Sequence, residues 1–194
     1  MSKIYYILGK SSTGKDTIYK RLLERNSSLN KICLYTTRPK RSDETDGDEY
    51  HFTDEEGYEK IRSNGLLIEE RSYNTMHGLW RYFTVNDGQF DNQEKNYLIG
   101  GVLESYVSTR KYFGEDKVIP IFLDLPDEIR LHRALSREKL QEEPKYAELC
   151  RRFISDTEDF SEEKLKEAGI NKRFLNIDLD ECIDQIEEYI KETI

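Results

Sequence analysis

The stretch from Ile7 to Thr17, ILGKSSTGKDT, constrains this chain more than any other. Gly9, Gly14 and Lys15 satisfy the spacing G-x-x-x-x-G-K, in which a glycine turn aims backbone N–H groups and a helix N-terminus at a phosphate chain. The flanks supply the setting that this motif requires. The β-branched and aromatic run KIYYIL stops at Gly9, and KDTIYKRLLERN places Ile18, Leu22 and Leu23 on one helical face. Strand, glycine loop and helix follow in that order, so Gly9, Ser11, Ser12, Thr13, Gly14, Lys15, Asp16 and Thr17 are the expected nucleoside triphosphate-binding segment. One position departs from the fingerprint: Asp16 stands where a serine or threonine is usual, and the hydroxyl comes one residue later, at Thr17.

The same alternation continues. A strand KICLYTT leads into the charged loop PKRSDETDGDE, where Pro39 and Gly47 forbid regular structure. A short helix near DEEGYEKIRSN, a strand GLLIEERSY and the stretch LWRYFTV make a mixed insertion over about 36–90. Strand YLIGGVL, a helix over 104–112, strand VIPIFLDL and helix DEIRLHRALSRE then resume the core. The charged break KLQEEP, the helix KYAELCRRFISDTEDF, strand RFLNID and a final amphipathic helix close it. Strands alternating with helices predict an α/β fold with a parallel sheet covered on both faces. At 194 residues this is one domain, with core segments of about 1–35 and 94–194 and a short helical lid over about 134–150.

Charge decides what such a loop binds. The chain carries 39 acidic residues against 30 lysines and arginines, a net charge of −9. A general electrostatic grip on nucleic acid or on an anionic membrane is therefore disfavoured, and anionic ligands must be held by local cation clusters. Three widely spaced cysteines, Cys33, Cys150 and Cys182, read as reduced thiols in the cytoplasm. No apolar run is long enough for a signal peptide or a membrane span. His51, His77 and His132 are scattered without metal-ligand spacing.

The second cation cluster is YTTRPKRSDETDGDEYHF. Arg38 and Arg41 are spaced to grip a second phosphate by bidentate hydrogen bonds, with Tyr50 adding a hydroxyl. Pairing of both arginines with Asp43, Glu44, Asp46, Asp48 and Glu49 is the competing reading. This stretch resembles the acceptor loop of the guanylate kinase family, T-T-R-x-P-R followed by E-x-x-G-x-D-Y-x-F. With the phosphate loop, RRF at 151–153 and NIDLDECIDQI near the end, the similarity covers nearly the whole chain.

The resemblance implies a P-loop NTPase three-layer αβα fold with an acceptor-binding insertion and a lid. It implies that Arg38, Arg41 and Tyr50 hold the acceptor monophosphate, that Glu69 or Glu70 reads the guanine N–H edge, and that Tyr82 and Thr84 add contacts. Arg137 and Arg151 or Arg152 correspond to arginines that close on the transferred group, alongside Lys15 and Arg38. Leu34 departs from the family's serine near the base, Phe83 replaces a glycine, and YLIGGVL lacks the usual strand-end aspartates. Asp16, with Thr17, is accordingly expected either to help hold a hydrated Mg²⁺ or merely to cap the helix. The implied activity is ATP-dependent phosphorylation of GMP or dGMP by a cytoplasmic monomer or homodimer that uses small nucleotides, not nucleic acid or membrane. A kinase of another phosphorylated acceptor and a non-catalytic interaction module of the same fold are the alternatives.

Overall fold

The computed structural model describes residues 2–75 and 78–193; His77 lies outside them. Strand β1 (Ile4–Gly9) is fully buried along its length and runs into the phosphate loop, after which helix α1 (Lys15–Arg25) begins. β2 (Leu29–Lys31) follows, and then the chain changes sheets. β3 (Tyr35–Thr36), β4 (His51–Phe52), helix α2 (Glu55–Ser63), β5 (Leu67–Thr75) and β6 (Gly78–Val85) make up the insertion. β7 (Asn96–Gly101), α3 (Leu103–Phe113), β8 (Val118–Asp124), α4 (Asp127–Glu138), α5 (Tyr146–Asp159), α6 (Glu162–Glu167), β9 (Arg173–Leu175) and α7 (Leu179–Glu192) complete the core.

The core sheet has strand order β2-β7-β1-β8-β9, with every pairing parallel. Its two faces bury separate apolar clusters. Tyr6, Leu8, Ile99, Tyr106 and Phe122 pack on one side; Tyr5, Ile7, Ile18, Leu22, Ile183 and Ile186 pack on the other, under α1 and α7. β1 sits at the centre because both of its faces are apolar, the composition a strand covered twice requires. The second sheet, order β4-β3-β6-β5, is mixed and packs Tyr58 of α2 on Phe83 and Val85.

The continuous run KICLYTT, expected as one strand, is divided between the two sheets. Between β2 and β3 the Cys33 N–H donates to the Gln89 side chain at 2.8 Å instead of to a ladder, which lets the chain leave one sheet for the other. The expected strand over 173–178 is shorter, ending at Leu175, after which the Asn176 backbone N–H still donates to the Asp124 carbonyl while its side chain reaches the phosphate loop. No helix among the described residues is long and apolar enough to cross a membrane.

Candidate functional site

The phosphate loop is shaped by specific contacts at Ser12, Thr13 and Gly14. Gly14 takes φ +87°, and a Cβ there would lie 2.3 Å from the Asn176 amide nitrogen, so a side chain is excluded twice over. Ser12 is a non-glycine residue at φ 65°, a conformation kept only where the surroundings enforce it. Asn176 donates to the Thr13 carbonyl at 2.7 Å, and the buried Thr13 hydroxyl donates to the Lys10 carbonyl at 2.8 Å. Lys15 Nζ lies 2.8 Å from Asp16 Oδ1, and both the Asp16 carboxylate and Thr17 are exposed. Partial desolvation opposes ionisation of Asp16, but Lys15 overrides it and holds the carboxyl below its ordinary range.

Around Ser11 and Ser12 lies a cleft of about 370 Å³, into which Arg41, Arg137, Lys145 and Arg152 converge. Arg137 donates to Ser12 Oγ at 3.2 Å and Arg152 to Ser11 Oγ at 3.3 Å. In an acidic chain this is a local concentration of positive charge around a loop shaped for phosphate. Arg151 is not brought there: it is exposed on α5 and forms a bidentate pair with Glu148 at 2.6 and 2.8 Å. A second cavity, of about 430 Å³, adjoins Lys3 and Lys117 at the N-terminal ends of β1 and β8. Ligands of parallel α/β sheets sit at the opposite, carboxyl ends.

Two residues that sequence reasoning missed, Arg130 of α4 and Asp156 of α5, tie those helices to the phosphate loop. Arg130, 1% exposed, donates to Asp127 and to Asp156 and stacks 3.7 Å from the Phe153 ring centre. Asp156 also accepts the Ser11 N–H at 2.9 Å. An arginine on an acidic helix reads as a surface cation; its burial depends on α5, which the local pattern does not reveal.

On the acceptor side, the two arginines divide. Arg38 is buried and donates to both Glu44 oxygens, at 2.9 and 2.6 Å, with Tyr50 and Phe52 flanking its guanidinium. Arg41 places its backbone N–H on Glu44, but its side chain is exposed toward the cleft and makes no ion pair among the described residues. The Arg38 hydrogen bond pulls the Glu44 carboxyl down to about 2 from 4.5. A depressed carboxyl stabilises the fold fully above the unfolded value and loses that contribution as pH falls through the folded one. The urea midpoint of the wild type is therefore expected to exceed that of Glu44→Gln by a constant margin above about pH 5, shrinking toward pH 2. A margin independent of pH would refute this role for Glu44.

Glu69 and Glu70 are separated by the strand's two-residue period. Glu70 accepts from the Tyr58 hydroxyl, from Arg81 and from Ser72, on the α2 side of the sheet. Glu69 faces the other way, with Tyr82 and Thr84 on the paired strand. Its Oε1 accepts the Thr84 hydroxyl at 2.7 Å, and its Oε2 lies 3.3 Å from Arg71 Nε. Burial raises the Glu69 carboxyl, and Arg71 opposes that rise. Tyr50 packs edge-on against Tyr82 on this face.

At one position of the strand end that lacks the family's aspartates, Gly101, a side chain is sterically opposed. A Cβ at Gly101 would come within 2.2 Å of the Tyr6 hydroxyl, which donates to Ser105 Oγ at 2.6 Å. Among the described residues no three His, Cys, Asp or Glu side chains form a metal-binding group. A caged metal is thus not provided for, whereas exposed Asp16 and Thr17 beside the loop suit an ion such as Mg²⁺, which keeps water and phosphate oxygens and takes few protein ligands.

This arrangement has relatives. A family model described as guanylate kinase matches residues 1–84. The chain is 28% identical to a guanylate kinase of Porphyromonas gingivalis, with 100% of this chain and 99% of the relative covered. It is 33% identical to one from Chlorobaculum tepidum over 64% of this chain and 63% of that one. The crystal structure of guanylate kinase from Anaplasma phagocytophilum superposes with a TM-score of 0.68 at 21% identity, covering 98% of this chain and 85% of that one. With the phosphate loop and the parallel sheet order in place, the chain is similar to guanylate kinases in sequence along its length and in fold.

Proposed function

We propose that this protein transfers the terminal phosphoryl group of ATP to GMP or dGMP, giving the diphosphate and ADP. The observation that carries this reading is the meeting, around one cleft, of Arg41 from the acceptor loop, Arg137 and Arg152 from the lid region, and the loop serines. An acceptor phosphate already presents an anionic oxygen near neutral pH, so the new O–P bond forms, and the bond to the ADP oxygen breaks, without a protein base. Charge compensation is what remains to be supplied. Lys15 and the α1 N-terminus act on the donor phosphates, Arg41 and Tyr50 on the acceptor phosphate, and Arg137 and Arg152 on the group in transit. Arg38 shapes the acceptor loop through Glu44, and Glu69 reads the base with Thr84 and Tyr82 beside it. Residues of about 36–90 serve as the acceptor-binding segment and about 134–150 as the lid.

Asp16 and Thr17 are the residues that would hold Mg²⁺, directly or through water; when bound, it neutralises charge on the donor phosphates. Asp16→Ser is expected to raise the Mg²⁺ concentration for half-maximal turnover by about tenfold, with the melting temperature unchanged. An unaltered Mg²⁺ dependence would leave Asp16 as a helix-capping charge only. The activity itself is tested by ADP release with a panel of nucleoside monophosphates in the cytoplasmic pH range. Turnover with GMP and dGMP above all others is expected, and no turnover with any monophosphate would end the kinase reading.

A further inference from the structure

Arg71 follows Glu69 by two residues on β5 and so shares its face, directly opposite Tyr82 on β6. The two side chains are 9% and 1% exposed, and Nε lies 3.3 Å from Glu69 Oε2. Neither of those atoms completes a hydrogen bond. Thr84 already occupies the other Glu69 oxygen. A buried acceptor and a buried guanidinium therefore lie side by side with bonding capacity unused, on the sheet face that carries Tyr50 and Tyr82. Buried polar atoms are nearly always partnered, so an unfilled pair of opposite sense is a site awaiting a group of matching sense. An N–H directly beside a carbonyl, the lactam edge of a 6-oxopurine, fills both at once. A 6-aminopurine reverses that order, placing an amine where the guanidinium needs an acceptor.

Resting on the acceptor reading above, we propose that Arg71 is a specificity-determining residue. Its guanidinium donates to the 6-oxo group of the acceptor base, while Glu69 accepts from the adjacent ring and exocyclic N–H groups. The test measures binding by calorimetry, alongside ATP-dependent turnover, for GMP, IMP and the 5′-monophosphate of 2-aminopurine riboside, which lacks the 6-oxo group. In Arg71→Ala, GMP and IMP are expected to weaken together by about 10- to 100-fold, and the 2-aminopurine nucleotide by no more than about threefold. Arg71→Lys keeps a cation beside Glu69, so it reads the same ratios if the alanine variant does not fold; an intermediate loss confined to the two 6-oxopurines is expected. Equal weakening of all three nucleotides would make Arg71 merely structural. A collapse of the GMP-to-IMP ratio would mean that it acts only by holding Glu69, and either result overturns the proposal. Failure of the wild type to bind any of the three is a separate result, which removes the acceptor reading and this assignment with it.

Discussion

Lys15→Ala is expected to lower kcat by about 10³-fold, because a preorganised cation on the donor phosphates stabilises the charge that builds up on them in the transition state. The fold has little stake in that side chain. Among the described residues its one ion pair is to Asp16, whose carboxylate is 87% exposed, and exposed pairs contribute at most about 1 kcal/mol. The melting temperature of the variant should thus lie within about 3 °C of the wild type. Steady-state ADP release and a thermal melt on the same preparation check both halves. A loss of activity matched by a large drop in melting temperature would indicate a damaged loop, and retained activity would remove Lys15 from the chemistry. Arg137 offers an internal comparison, since it reaches Ser12 from α4 and is exposed where Lys15 is half-buried.

That these residues were legible in the sequence follows from how local their signals are. Gly9, Gly14 and Lys15 act through backbone shape over a few residues, and a left-handed glycine followed by a helix needs no distant partner to be recognised. The parallel core was legible for the same reason: an apolar strand bounded by a turn and an amphipathic helix describes its own unit. The divided run at residues 31–37 was not, because apolar composition is the same on either side of the switch. What separates β2 from β3 is Gln89, 56 residues beyond Cys33. The choice between Glu69 and Glu70 was likewise closed to spacing, since either face of an insertion sheet can be the buried one. Tyr58 and Arg81 occupy Glu70, which is why the proposed reading assigns the base to Glu69.

Arg130 is the strongest case of a residue whose role is set by distant chain, and its removal is expected to have the largest effect on stability. Arg130→Met takes the guanidinium from between Asp127 and Asp156 and leaves the mostly buried Asp156 without its cation. Breaking one partner out of a buried pair costs about 3 to 5 kcal/mol, and the lower end applies because Asp127 is half exposed. The loss of about 3 kcal/mol is measured from urea midpoints at constant slope. A second variant separates charge from packing: Arg130→Met with Asp156→Leu removes the stranded carboxylate and should recover at least half of the loss, since apolar replacement of a whole buried pair is often neutral. It should not recover activity to the same extent. Asp156 also accepts the Ser11 N–H, so the double variant is expected to fold without this tie between α5 and the phosphate loop. Stability restored with kcat still depressed would place the Arg130 to Asp156 to Ser11 chain in the coupling of α4 and α5 to the loop. A single variant as stable as the wild type would show that Asp156 finds its compensation in the loop amide alone.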